Sequence, residues 1–232
     1  MRLRLIPLYL SILVAIVVSL YNPILIVAVF APAITYLIYI WRKEKVEREP
    51  LIAVLSTFSY GFILSAILAL LIEVKLHRLL SLDLTMSVLF LAPITEEICK
   101  FLGVYIISQN KELFNELDDG IVYGASVGLG FSTLETIMYT LVARDPLAVG
   151  LLRASSCTAM HSASTALSGW GYAFNSIAGK GRIVFISTLI MAILLHVLHN
   201  YIALKLKELP VLMLLLIVFD IIVFLYMTSR VE

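Results

Sequence analysis

The stretch LTMSVLFLAPITEEICKFLGVYIIS, residues 84–108, decides the fold. It is long and apolar enough to cross a hydrocarbon layer of roughly 30 Å, which takes about 20 helical residues. Yet it carries Glu96, Glu97 and Lys100 near its middle. An amphipathic soluble helix would gather such groups on one wet face, but here Leu, Ile, Phe and Val surround them, so the charges belong inside a helical bundle. Glu96 and Lys100 stand one helical turn apart and are expected to pair, with Glu97 turned about 100° away.

Outwards from this segment, runs of similar length recur at about 4–20, 23–41, 51–73, 119–142, 148–174, 183–204 and 210–228. The expectation is an all-α fold, a polytopic transmembrane helical bundle of about eight transmembrane helices. Residues 1–232 would form a single integral membrane domain, with the catalytic helices at about 84–204. Composition agrees: 61% of the chain is hydrophobic, 14% is charged, and the mean hydropathy is +1.02, beyond what a soluble fold can bury. A net charge of +1 gives no basic surface for nucleic acid.

The breaks use ordinary turn chemistry: Asn22-Pro23, Glu49-Pro50, Asp118-Asp119-Gly120 and Asp145-Pro146. Asp119 is expected to cap the following helix, and VKLHRLLSLDL to lie along the membrane surface. The basic, apolar start resembles a signal peptide without an A-x-A site, which favours a retained first helix. Arg2, Arg4, the segment WRKEKVER, Lys111, Lys180, Arg182 and Arg230 fall on one side of alternating spans, which places both termini in the cytoplasm of a multi-pass cell-membrane protein. Lys205 and Lys207 go against that assignment. Cys99 and Cys157 lack metal-ligand spacing and are read as small packing residues.

A carboxylate deep in a bilayer costs about 2.5–3.5 kcal/mol, so Glu96, Glu97 and Glu135 together cost roughly 8 kcal/mol. Four successive spans contribute such groups: Glu96 and Glu97; Glu135; His161, amid Ser, Ala and Gly; and His196 with Asn200, one turn apart. His199 points elsewhere and is set aside. Gly124 and Gly128 form a small-residue packing face. A carboxylate base, imidazoles and an amide donor suffice for water-mediated acyl hydrolysis, the base taking a proton from water and His with Asn stabilising the oxyanion. A proton-coupled transporter would use similar residues but predicts repeated halves, and none is visible. A non-catalytic membrane scaffold needs only an apolar groove.

Glu96-Glu97-Ile98-Cys99-Lys100 resembles the EExxK element of the PrsW family of intramembrane proteases, within the CAAX prenyl endopeptidase and bacteriocin-processing superfamily. DGIVYG at 119–124 with FSTLE ending at Glu135, then His161, then the HxxxN pattern of His196 and Asn200, resemble its later elements in order. The resemblance implies an endopeptidase acting on membrane-associated proteins, a single-span anti-sigma factor among the candidate partners. It makes Glu96 the water-activating base, Glu97 a second essential carboxylate, and His196 with Asn200 the oxyanion group. His161 would orient water or bind a metal. Glu135 stands where the prenyl endopeptidases carry His, so that histidine's role does not transfer. No cofactor is fixed by the sequence; zinc held by Glu135, His161 and His196 is the alternative.

Overall fold

The computed structural model describes residues 6–45, 47–179, 181–205 and 211–231. Their regular structure is helical throughout, as expected for chains that must satisfy every backbone group within a segment in lipid. Nine helices carry the fold among the described residues: α1 (Ile6–Tyr21), α2 (Pro23–Lys43), α3 (Leu51–Leu80), α4 (Ala92–Ser108), α5 (Leu117–Val142), α6 (Pro146–Ser155), α7 (Cys157–Ala178), α8 (Arg182–Lys205) and α9 (Val211–Thr228). Three of them, α3, α5 and α8, are long and apolar enough by length and composition to cross a membrane; α1 and α9 are shorter apolar helices.

Three expectations need correction. Most of the segment read as a surface-lying linker, up to Leu80, is the continuation of α3, which Ser81 closes in a left-handed conformation. Asp119 is not the N-cap: Glu116 holds that place, and Asp119 reaches back from the third helical position to accept the Asn115 and Glu116 N–H groups, both at 2.7 Å. The single sixth span is divided at Ser156 into α6 and α7; Ser156 stays in the right-handed region but with its φ drawn out to −111° (ψ −66°).

The stretch at 84–108 also divides. Asp83 caps a short turn at Leu84–Met86 by accepting the Met86 N–H at 2.9 Å, a π-helical turn follows at Ser87–Leu91, and α4 begins with Pro93 in its first turn. A second π-helical turn, Tyr60–Ser65, lies inside α3.

Helix α5 is the axis of the bundle and is buried without interruption from Asp119 to Thr133. Glycine sets how close its neighbours come. A Cβ at Gly124 or Gly128 would collide with the carbonyl oxygens of Thr165 or His161 on α7, and one at Gly130 with that of Phe58 on α3. The small-residue face at Gly124 and Gly128 therefore does what the sequence predicts: it draws the α7 backbone against α5 and seats His161 in the centre. Outward faces are apolar, as at Ile183, Ile190 and Leu194 of α8. Hydrocarbon, not water, is the solvent for such a surface.

Candidate active site

Helices α4, α5, α7 and α8 deliver the predicted residues to one buried cluster. Glu96, Glu97, His161 and His196 are all buried, and the His161 and His196 rings meet edge to face with centroids 4.8 Å apart. Lys100 pairs with Glu97 at 2.5 Å and not with Glu96, correcting the expected i,i+4 pair. The i,i+3 geometry wins because the same ammonium also lies 2.8 Å from His161 Nδ1, so Lys100 sits between Glu97 and that ring.

Glu97 Oε1 is the hub. It accepts from Lys100 Nζ at 2.5 Å, from Ser164 Oγ at 3.1 Å, and lies 3.0 Å from His196 Nδ1. A carboxylate so heavily engaged is a poor base for water but a firm anchor for the His196 ring, whose Nε2 is thereby left to face Glu96. Glu96 Oε2 lies 3.8 Å from that nitrogen, is buried, and has no hydrogen-bond partner. Such an oxygen is costly unless something occupies the gap, and one bridging water spans a distance of this size.

Glu135 plays a different part. Arg153 of α6 holds one of its oxygens at 2.8 Å, and the other sits 2.8 Å from His161 Nε2. Glu135 thus orients His161 as Glu97 orients His196. Arg153 in turn stacks on Tyr139, 3.9 Å from the ring centroid. Asn200 donates its side-chain amide to the Val88 carbonyl at 2.9 Å, within the π-helical turn before α4, so its tie to His196 is one of shared face and not of contact. His199 lies in a separate buried cluster with Asp220, as its placement off the His196 face predicts.

A cavity of about 640 Å³ runs along the site, lined by Glu73, Glu96, Phe131, Glu135, Arg153 and Asn200 among others, and extends to His77 and Arg78 at the end of α3. Arg153 and Glu73, which accepts from Thr95 at 2.8 Å, were not singled out in the sequence. The rule that flagged Glu96 would have found both, since each is an ionisable group inside an apolar run.

Metal ligation gathers a set other than the expected one. Glu96, His161 and His196 offer one atom each within 4.8 Å of one another, with Glu96 in the place foreseen for Glu135. Two imidazoles and one carboxylate suit catalytic zinc with an open position, and the partnerless Glu96 oxygen and the carboxylates behind both rings fit that donor set. In this arrangement the Lys100 amine occupies His161 Nδ1, so loading a metal there means moving that amine aside.

The family profile described as PrsW family intramembrane metalloprotease matches residues 49–227, a span that holds every residue of the cluster. The chain belongs to the PrsW family. It is accordingly a membrane protease. Curated relatives in the family include Protease PrsW of Geobacillus kaustophilus, 29% identical over 181 residues, covering 78% of this chain and 80% of that protein. Protease PrsW of Bacillus subtilis is 36% identical over 118 residues, covering 50% of this chain and 54% of its own length. That of Clostridioides difficile is 29% identical over 179 residues, covering 74% and 75%. No solved structure matches this PrsW chain.

Proposed function

We propose that this PrsW-family protease hydrolyses a peptide bond of a membrane-associated protein by activating water at Glu96. The observation that carries this reading is the partnerless Glu96 Oε2, buried beside a cavity and 3.8 Å from His196 Nε2. A substrate segment entering the cavity brings its carbonyl next to that gap. Glu96 takes the proton of the attacking water; His196, whose Nδ1–H is held by Glu97, donates to the oxygen that gains charge only once its Nε2 has gained a proton, and Asn200 is a further donor once released from Val88. Glu135 and Arg153 hold His161 in register behind them.

The convergence of Glu96, His161 and His196 favours a second form of the same activity, in which those three hold zinc. The ion would supply Lewis-acid polarisation of the carbonyl and easier deprotonation of water. Glu96 is then a ligand and no longer the base. In both forms the bundle spans the cell membrane about eight times with both termini cytoplasmic, and the cavity, which reaches the α3 end at His77 and Arg78, opens outwards. A single-span protein of the anti-sigma factor kind is the substrate class proposed.

The test is cleavage of a panel of single-span proteins by the purified enzyme in detergent. Loss of cleavage in Glu96→Gln with full activity in chelator supports the metal-free form. Loss in chelator with rescue by zinc supports the metal form, and cleavage by Glu96→Gln equal to wild type removes Glu96 from both.

A further inference from the structure

Beyond Arg153 and His161 lies a second cavity, of about 520 Å³, walled on one side by Val149, Leu152, Met160 and Leu216. Cys157 and His199 also line it. The sequence reads Cys157 as packing, but the structure gives its sulfur company. Cys157 Sγ is 3.4 Å from His199 Nε2, His199 Nδ1 is 2.9 Å from Asp220 Oδ2, and Ser156 Oγ donates to the same Asp220 oxygen at 2.6 Å. All four residues are buried.

The carboxylate selects the tautomer: the Nδ1–H of His199 donates to Asp220, which leaves Nε2 to receive a proton from the thiol. Cys157 is also the first residue of the 22-residue helix α7, so the positive end of that helix lies at the sulfur. Arg153, on the same cavity wall, keeps a buried Nε with no partner, a donor for an incoming carbonyl oxygen. A cysteine that only packs needs neither an imidazole with its carboxylate nor an idle donor nearby.

We propose that Cys157, served by His199 and Asp220, is a nucleophilic thiol that takes an acyl group from a lipid-soluble acyl thioester. His199 Nε2 accepts the S–H proton as the sulfur lone pair forms a bond to the acyl carbon. The donor's C–S bond breaks, and its departing thiolate takes the proton from His199. A new thioester and a free thiol result, with no change of oxidation state. The apolar wall, inside a bundle whose outer faces are apolar, suits a hydrocarbon tail.

The experiment exposes the full chain in detergent to the N-acetylcysteamine thioester of an ω-alkynyl fatty acid. Hydroxylamine-labile label on Cys157 and Cys99 is followed by peptide mass spectrometry. Folded Cys157 should react about a hundredfold faster than the same thiol in the unfolded chain, because access alone cannot make a buried thiol faster than an open one. His199→Gln and Asp220→Asn should remove most of that advantage while leaving the Cys99 rate unchanged. A folded-state rate equal to or below the unfolded rate overturns the proposal, and so does full labelling in a folded His199→Gln protein. Should both variants fail to fold, the wild-type comparison alone decides.

Discussion

Two groups of buried acids sit at opposite ends of α5 and are satisfied by different means. At its start, Glu44, Glu49 and Asp119 lie close together, and their oxygens take backbone N–H groups and a hydroxyl: Glu49 N–H on Glu44 at 2.8 Å, the Asn115 and Glu116 N–H groups on Asp119, the Tyr123 hydroxyl on Glu49. Towards its other end, Glu97 and Glu135 are held by an ammonium, a guanidinium and two imidazoles. The first group ties a loop to a helix end. The second spends its charges on orienting two histidine rings and leaves two oxygens without a partner, Glu97 Oε2 and Glu96 Oε2, with Glu96 lining a cavity. Burial and an idle acceptor are common to both, Glu44 Oε1 in the first group and Glu96 Oε2 and Glu97 Oε2 in the second; what sets the second apart is that Glu96 lines a cavity beside two imidazoles.

The largest effect should come from Glu96→Gln. It keeps the shape and removes the base or ligand, so cleavage should fall by about a hundred- to ten-thousandfold with the melting temperature nearly unchanged. A variant that retains cleavage would make the two carboxylate groups equivalent after all. Next comes Lys100→Met, which strands Glu97 as a buried charge without its ammonium and should cost about 3–5 kcal/mol, read from denaturation in detergent. A small loss would mean that Ser164 and His196 suffice to hold Glu97. Gly128→Ala should cost about 1–3 kcal/mol, because its methyl group meets the His161 carbonyl, and it should also lower activity by displacing that ring.

The smallest effect concerns the acids at the start of α5. Burial, reinforced by Asp119 and opposed by the Glu49 N–H, pushes Glu44 up to about 7; burial likewise pushes Glu49 up to about 8 against the Tyr123 hydroxyl. In the folded protein both hold protons that the unfolded chain has already released, so the stability they contribute is full below the ordinary carboxylate value of 4.5 and is lost progressively as pH rises from there through 7 to 8. The melting temperature should therefore decline across that window. Glu44→Gln should flatten the decline, and an unchanged slope would show that the hydrogen bonds alone keep this group in place.

Much of the site could be read in the chain. Glu96, Glu97, Glu135, His161 and His196 stand out because each is expensive in an apolar run, and cost marks position whatever the neighbours are. The partners could not be read. Spacing offered Lys100 to Glu96 at i+4, yet the contact with His161, 61 positions away, drew it to Glu97. The alternative of zinc includes Glu135 because it stands where the prenyl endopeptidases carry His, whereas Arg153, from another helix, claims that carboxylate and the convergent set holds Glu96. Cys157 was passed over because its reach to His199 and Asp220 has no signature in spacing.

The sequence by itself determined that the fold is all-α, that ionisable and amide groups recur in four successive apolar segments, and that Gly124 and Gly128 give α5 a face for close helix packing. Hydropathy, residue cost and side-chain size are local properties and need no partner to be seen. Only the tertiary structure decided which carboxylate pairs, which orients a ring and which stays free. Those assignments depend on distances between helices, and a change of under one helical turn in packing would reassign every bond.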